Sequence, residues 1–155
     1  MIAAESVELL RSRRVRLSPG LTALELSAVE ARFGFDFSPD HRDFLSIAVP
    51  EGEGWIDWRG NAGTIDDALS WPTEGVVFDV EENAFWPPSW GNAPHSRPER
   101  LRRAREQIAK WPTLVPLYGH RYMPASPAGA SSPGLLCLAD GRHRLWSRSA
   151  GLRPA

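Results

Sequence analysis

The residues best suited to chemistry stand close together in the C-terminal third of the chain. They are Tyr118, Gly119, His120, Arg121 and Tyr122, which combine two phenol rings, an imidazole and a guanidinium. A histidine between such rings could act as a general base, because its ordinary pKa lies near neutral pH. We favour the simpler interpretation, in which His120 is a strand residue with a satisfied hydrogen bond.

Other reactive side chains are scattered. His41, His95 and His143 lie far apart in the sequence and lack the spacing of metal ligands, so we expect no metal and no cofactor. The single cysteine, Cys137, excludes an internal disulfide and is typical of a reducing cytosol, so we expect a cytoplasmic protein. The chain contains one lysine and no Gly-rich phosphate loop, which argues against common nucleotide chemistry.

Three carboxylates in one segment could in principle form an acid–base pair. Asp79, Glu81 and Glu82 are nearly adjacent, and we expect this segment to be exposed, so solvent-facing acids are the favoured interpretation. Asp57 and Asp79 are also candidates for a structural role, as acceptors for backbone donors of the Gly-rich loops.

The tryptophans are the most informative set in the middle of the chain. They either pack loops onto the core or line an aromatic surface that grips a partner, since Trp, Tyr and Arg dominate binding hot spots. Arg59 could join such a surface. The candidate binding residues are Trp55, Trp58, Trp86, Trp90, Tyr118, His120, Arg121 and Tyr122.

Helical patterns position the N-terminal part. A first helix is predicted over residues 4–14. A second begins at Thr22, which forms a capping box with Glu25, and ends at Gly34. A third has Pro39 at its first position and ends near Pro50.

The middle of the chain is less regular. Residues 55–58 are predicted to form a short strand, and residues 64–69 one or two helical turns capped by Thr64. Residues 75–80 are rich in β-branched side chains and allow a strand, although a helix over 72–83 is equally compatible. Residues 85–91 cannot form a regular helix and are predicted to be an aromatic loop.

The C-terminal part contains a helix and three strands. The helix begins at Ser96 and runs to about Lys110, with its arginines facing solvent. Two strands follow on either side of a tight turn or bulge at Gly119. A third short strand is predicted over 135–138, and residues 139–155 are a basic, weakly patterned tail.

Size and charge limit the function classes. At 155 residues one domain is expected, with residues 1–138 as its extent. The formal net charge of −1 gives no field for nucleic acid or an anionic membrane, so we expect neither as a partner. The N-terminus lacks the pattern of a signal peptide, and no apolar run approaches the ~20 residues that span a bilayer.

Three motif stretches, at 21–45, 75–91 and 114–124, resemble in this order the SMI1/KNR4-like (SUKH) superfamily, in the form common in actinobacterial sequences. The resemblance implies an α+β fold in which helices pack on a small antiparallel sheet, and it favours the helix over 72–83. It also implies a protein-binding module, since many bacterial members resemble immunity proteins encoded beside polymorphic toxins. No catalytic residue set comes with this family.

The tail departs from the family pattern. Relatives continue after the hairpin into a strand of the type Ser-Val-x-Gln-Thr-Asp-x-Ile-x-Tyr-Gly, which is absent here. One nucleotide string that encodes residues 137–153, read one base later, yields a strand of that type. We therefore hypothesise that the tail is a frameshift product, and the gene sequence tests this directly.

Three functions follow from these patterns. The first is a non-enzymatic protein-binding module, of the immunity type, whose partner is a toxin or another protein. The second is a small-ligand binder or enzyme that uses the Trp-rich loop and His120. The third is a regulatory scaffold, as fungal members of the family suggest.

Overall fold

The computed structural model describes residues 2–126 and, for the backbone alone, residues 136–137. The described chain has an α+β fold, as the sequence predicts, but its helices pack with two small antiparallel sheets instead of one. In chain order the elements are α1 (Ile2–Ser12), β1 (Arg16–Pro19), α2 (Ala23–Phe33), α3 (Pro39–Ile47), β2 (Ala48–Glu51), α4 (Ala62–Glu82), a 3-10 turn (Pro88–Trp90), α5 (Arg97–Ile108), β3 (Leu114–Tyr118), β4 (Arg121–Pro124) and β5 (Leu136–Cys137).

Local capping residues set both ends of α2 and the start of α3. The Thr22 hydroxyl accepts from the Glu25 amide while the Glu25 carboxylate accepts from the Thr22 amide, which confirms the predicted capping box. α2 ends at Gly34 in the left-handed region, with φ of 71°. Ser38 caps α3 and Pro39 occupies its first turn, also as predicted.

The two sheets are short and separate. β1 pairs with β2, with Leu17 opposite Pro50, and this two-stranded sheet includes residues that the sequence assigned to a turn and to the end of a helix. β4 lies between β3 and β5 in the second sheet. The predicted third strand is confirmed as β5, while the boundary at residue 138 and the frameshift hypothesis for the tail lie outside the described residues.

The α4 helix differs most from the sequence prediction. It is one continuous helix of 21 residues, where the sequence predicted two pieces or a helix followed by a strand. Its cap is Asn61, whose side chain accepts from the Gly63 and Thr64 amides, so Thr64 is not the cap. The predicted strand over 55–58 is also wrong, because only Trp55 forms a β-bridge, to Tyr118.

α4 continues through Pro72, and the contacts around that residue show how. A proline has no amide hydrogen, so the carbonyl four residues earlier, at Ala68, loses its helical donor. The Tyr122 hydroxyl donates to that carbonyl oxygen at 3.3 Å. The β3–β4 hairpin therefore supplies the hydrogen bond that the helix lacks.

Buried apolar side chains form two cores that share α4. The first core joins α1, α2, α3 and β2 and includes Trp58 and, from α4, Ile65. The second core lies between α5 and the C-terminal half of α4, with Val76 and Val80 on α4 and Trp90 from the loop after it. The middle of α4 lies between the two cores and carries the hairpin on one side.

Ion pairs line the contact between α4 and α5. Arg97 binds Glu81, and Arg105 lies 3.2 Å from Glu74. The arginines are exposed, as predicted, but two of them also join the two helices. Exposed pairs of this kind contribute about 0–1 kcal/mol each, so apolar packing is the main cause of the helix–helix contact.

Candidate functional site

A tight turn at the end of the β3–β4 hairpin places the predicted site residues. The strand register shifts by one residue between Pro116 and Tyr118, which leaves Leu117 as a bulge. Gly119 has φ of 53°, a conformation that glycine adopts without strain. As a result Tyr118 and Arg121 lie opposite each other, next to the turn residue His120.

One side of the turn is braced by the loop before α4. The Trp55 ring lies 4.6 Å from the Tyr118 ring between centroids, and the Gly119 amide donates to the Gly54 carbonyl oxygen at 2.7 Å. The Arg121 guanidinium lies 5.9 Å from the Tyr118 ring centroid, within cation–π distance. Tyr118 nevertheless stays 38% exposed.

The other side of the turn stacks on α4. The His120 ring lies 5.0 Å from the Trp71 ring at an angle of 28°, and the Tyr122 ring lies beneath, parallel to Trp71 at 6.3 Å. Trp71 is 42% exposed, while Tyr122 is buried. We call this group the hairpin tip; it consists of the exposed residues Trp71, Tyr118, His120 and Arg121 and the partly buried Trp55.

The hairpin tip suits binding better than catalysis. Stacked rings beside a cation present apolar area with little side-chain entropy left to lose, which is the composition of interface hot spots. A general base needs a partner that orients its ring. Among the described residues, His120 forms a ring stack and no hydrogen bond to a carboxylate.

Trp58 and Arg59 are structural residues, which corrects their expected place on a binding surface. Trp58 is 5% exposed and packs edge-on against Phe37, with ring centroids 5.1 Å apart. The Arg59 guanidinium donates to the Glu25 carboxylate at 2.6 Å and to the backbone carbonyl oxygens of Pro19 and Gly20. Because of this hydrogen bond to Arg59, the pKa of Glu25 falls to about 2.

Trp86 and Trp90 belong to the second core and not to the hairpin tip. Their rings meet edge to face at 5.2 Å, and Trp90 also contacts Trp111 at 6.0 Å. The Trp86 indole donates to the Gly91 carbonyl oxygen at 2.8 Å, and Trp90 is buried. These two residues therefore hold the aromatic loop against α5.

Tyr122 and Asp79 also differ from their sequence predictions. Tyr122 is 3% exposed, burial raises the pKa of its phenol, and its hydroxyl serves Ala68, so it supports the site from beneath. Asp79 departs from the favoured interpretation of a solvent-facing acid and agrees with the alternative structural role, because it is buried and accepts from the Asn83 side chain at 2.6 Å. The structural role for Asp57 is observed, since its carboxylate accepts from the Arg59 amide at 3.0 Å.

Trp71 is one of the tryptophans that the sequence offered as either core packing or a binding surface, but it is absent from the candidate binding residues, although His120 stacks on its ring. The available signal was the place of Trp71 directly before Pro72 in an amphipathic segment. Nothing in the local sequence indicates that Trp71 contacts His120, which lies 49 positions later.

A buried histidine lies away from the hairpin tip. His41 is 2% exposed between Phe37 and Trp58, and its Nδ1 has no hydrogen-bond partner among the described residues. Burial lowers the pKa of His41 from 6.5 to about 4, because the charged ring cannot be solvated there. His41 is thus a neutral core residue at neutral pH.

Two clefts of the described part lie away from His120, and the wider of them, of about 690 Å³, is lined by Glu25, Trp58 and Arg59 among others. The other, of about 520 Å³, lies between the two cores and is lined by Phe33, Asp66, Arg105 and Trp111, among others. In residues 2–126 and 136–137, no cluster of His, Cys, Asp and Glu has the arrangement of a metal site. No helix of the described part combines the length and apolar character needed to cross a membrane.

Comparison with known proteins adds no relative: no family model matches the chain, and neither a curated protein nor a solved structure matches it. The resemblance to the SMI1/KNR4-like superfamily therefore stays a prediction from its motifs.

Proposed function

We propose that the chain is a non-enzymatic protein-binding module that holds its partner with the hairpin tip. The observation that carries this proposal is that Tyr118 packs against its neighbours and is yet exposed. Its ring contacts Trp55 and lies against Gly54, and Arg121 lies within cation–π distance. The hydrogen bond from the Gly119 amide to Gly54 anchors the turn, and 38% of Tyr118 faces solvent. A surface ring that is already ordered binds with a smaller entropy cost than a mobile one.

The nature of the partner follows from the sequence resemblance. We infer a toxin-type protein that this module masks, as bacterial immunity proteins do, in a reducing cytosol that suits the single Cys137. The net charge of −1 supports a protein partner over nucleic acid. The exposed stack of His120 on Trp71 supports a contact role for this histidine and not a catalytic one.

Affinity capture with quantitative mass spectrometry tests the proposal. The full chain is expressed in its own host as wild type, as Tyr118→Ser/Arg121→Ser, and as Leu24→Ser. Leu24 is a matched control, because it is 80% exposed and lies on α2, a helix that contributes no residue to the hairpin tip. We expect a protein that the wild type and Leu24→Ser retain and that the double variant loses at least tenfold.

Two results would contradict the proposal: no protein enriched above the bare resin, or one that the double variant retains in full. Co-expression separates the finer claim. If the captured partner does not arrest growth when expressed alone, the immunity role is wrong and the binding module stands.

A further inference from the structure

Arginines are concentrated where α1 ends and β1 begins. Four of them, Arg11, Arg13, Arg14 and Arg16, fall within six residues of the sequence. Arg11 pairs with Glu8 at 2.5 Å. The side chains of the other three are exposed and form no ion pair or hydrogen bond in the part of the chain that the structure describes. This end of the molecule therefore presents cationic charge that no described carboxylate neutralises.

Arg14 adopts a backbone conformation that favours glycine, with φ of 60°. The Arg14 amide donates to the Arg11 carbonyl oxygen at 2.9 Å. The Val15 amide donates to the Leu10 carbonyl oxygen at 3.0 Å, and the two hydrogen bonds together end α1 at a left-handed residue. Glycine is the usual residue at this position because it has no Cβ to strain. The chain thus holds an arginine where glycine is the better fit, and strained residues of this kind cluster at functional sites.

The edge of β1 that faces away from β2 is open at Leu17. Leu17 lies opposite Pro50, which has no amide hydrogen, so these two residues cannot exchange hydrogen bonds. The alternation of an antiparallel ladder assigns the hydrogen bonds to the flanking pairs, one of which is Arg16 with Glu51. The Leu17 amide and carbonyl therefore point away from β2, and no other described segment forms a backbone hydrogen bond with them.

A groove of about 450 Å³ adds apolar surface beside these backbone groups. Its lining includes Arg11, Leu17 and Ile47. Ile47 follows the last turn of α3 and is 43% exposed, although it is a large apolar residue. The groove can therefore take an apolar side chain next to the arginines.

Charge and open backbone groups together decide what can cover this surface. Glu51 lies opposite Arg16, yet the two form no ion pair within the described contacts, so the arginine charge stays available. A second copy of the chain would set one arginine cluster against another, and like charges at close contact destabilise an interface. Nucleic acid would satisfy the arginines but cannot extend a β-sheet. An extended polypeptide with acidic side chains can pair with the strand edge and with the arginines at once.

We propose that the β1 surface binds an extended acidic segment of a partner protein. The β1 surface consists of Arg13, Arg14, Arg16, Leu17 and Ile47. The segment exchanges backbone hydrogen bonds with Leu17, packs an apolar side chain on Ile47 and places its carboxylates on the arginines. The β1 surface shares no residue with the hairpin tip, so it is a second interaction surface whose existence does not depend on the proposed function.

A selection of linear peptides from a phage-displayed library on the full chain tests the inference. Affinities of the enriched peptides are then measured on the wild type and on two variants of the β1 surface. Arg14→Gly removes one charge and relieves the strained backbone. Arg13→Gln/Arg16→Gln removes two charges and leaves the turn unchanged.

Two control variants and one competing probe complete the experiment. Arg100→Gln is the matched charge control, because Arg100 is exposed on α5 and forms no ion pair with a described residue. Tyr118→Ser/Arg121→Ser reports on the hairpin tip. A single-stranded DNA oligonucleotide is the competing anionic probe. Urea unfolding of each variant separates loss of binding from loss of stability.

We expect Asp and Glu to be enriched at least threefold over the library. Affinity should fall at least fivefold on Arg14→Gly and at least tenfold on Arg13→Gln/Arg16→Gln, and it should be unchanged on both controls. The urea midpoint of Arg14→Gly should equal or exceed that of the wild type, since glycine relieves the strain. Hydrogen exchange of the Leu17 amide should slow when peptide is bound.

The inference is wrong if no acidic peptide is enriched or if the arginine variants bind such peptides as the wild type does. It is also wrong if Arg14→Gly loses stability together with affinity, because Arg14 would then have a structural role alone. DNA that binds as tightly as the peptides, with the same loss on the arginine variants, would assign the surface to nucleic acid. Enriched peptides that only the hairpin-tip variant loses would contradict the β1 surface and leave the proposed function standing.

Discussion

The hydroxyl of Tyr122 donates to the carbonyl oxygen of Ala68, 54 residues away, at 3.3 Å. This is the carbonyl that Pro72 deprives of its helical donor. One side chain of the hairpin thus completes the backbone hydrogen bonding of α4, and the same hairpin carries the exposed tip. We therefore expect the packing of the hairpin on α4 to depend on this bond.

Removing the hydroxyl tests that dependence. We expect Tyr122→Phe to lower the free energy of unfolding by about 1–2 kcal/mol, because the partly buried carbonyl of Ala68 loses its donor. In a Pro72→Ala background the alanine amide supplies the missing donor, so the same change should cost less than about 0.5 kcal/mol. Urea unfolding of the four proteins gives both values, and equal costs in the two backgrounds would disprove the compensation.

Gly54 leaves the space that the Tyr118 ring occupies. A Cβ at Gly54 would lie 2.8 Å from that ring, whereas a Cβ at Gly52 meets nothing within 4 Å. Both glycines have positive φ, so alanine at either one carries a backbone cost of about 1–2 kcal/mol. We expect Gly54→Ala to cost more than Gly52→Ala and to shift the Tyr118 ring resonances in NMR spectra. A Tyr118→Ala background should abolish the excess.

Substitutions of Trp55 and Trp58 distinguish a residue of the hairpin tip from a residue of the core. Because Trp58 is buried against Phe35 and Phe37, we expect Trp58→Ala to lower the free energy of unfolding by about 3–5 kcal/mol. Trp55→Ala should cost less than half as much and reduce partner capture. Thermal unfolding together with capture of the partner measures both, and similar stability losses would contradict the assignment.

His41 makes stability depend on pH in a defined window. Its folded-state pKa, about 4, lies below the value of 6.5 for an unfolded chain. The unfolded state therefore binds the proton first as pH falls, and stability decreases between about 6.5 and about 4. The loss is on the order of 3 kcal/mol and is complete below the folded pKa.

The measurement compares urea midpoints of the wild type, His41→Leu and His95→Gln at pH 7.5, 5.5 and 4.5. His95 is exposed, so His95→Gln should follow the wild type. His41→Leu should lose less stability over that range. An identical slope in His41→Leu and the wild type would show that His41 is not the group responsible.

Features with local causes could be predicted from the sequence. The capping box of Thr22 with Glu25 and the left-handed Gly34 depend on neighbours within a few residues, and both were found in place. The β3–β4 hairpin was predicted for the same reason, since the turn at Gly119 lies between its strands.

Features with distant causes could not be predicted. Pro72 suggested that the helix breaks, since a proline lacks the amide donor. The donor that replaces it belongs to Tyr122 on another element, which the local sequence does not reveal. Asp79 was expected in solvent, yet the helix turns it inward, where Asn83 binds it. Trp55 and Trp58 are three residues apart and of one type, so only the packing around each distinguishes a site residue from a core residue.

The sharing of α4 between the two cores has a consequence for how the chain unfolds. Ile65 belongs to one core and Val76 and Val80 to the other, all on one uninterrupted helix. If this helix unfolds at its middle, both cores lose the packing contacts of α4 at the same time. The chain therefore has no stable half, and its two cores should melt as a single cooperative unit.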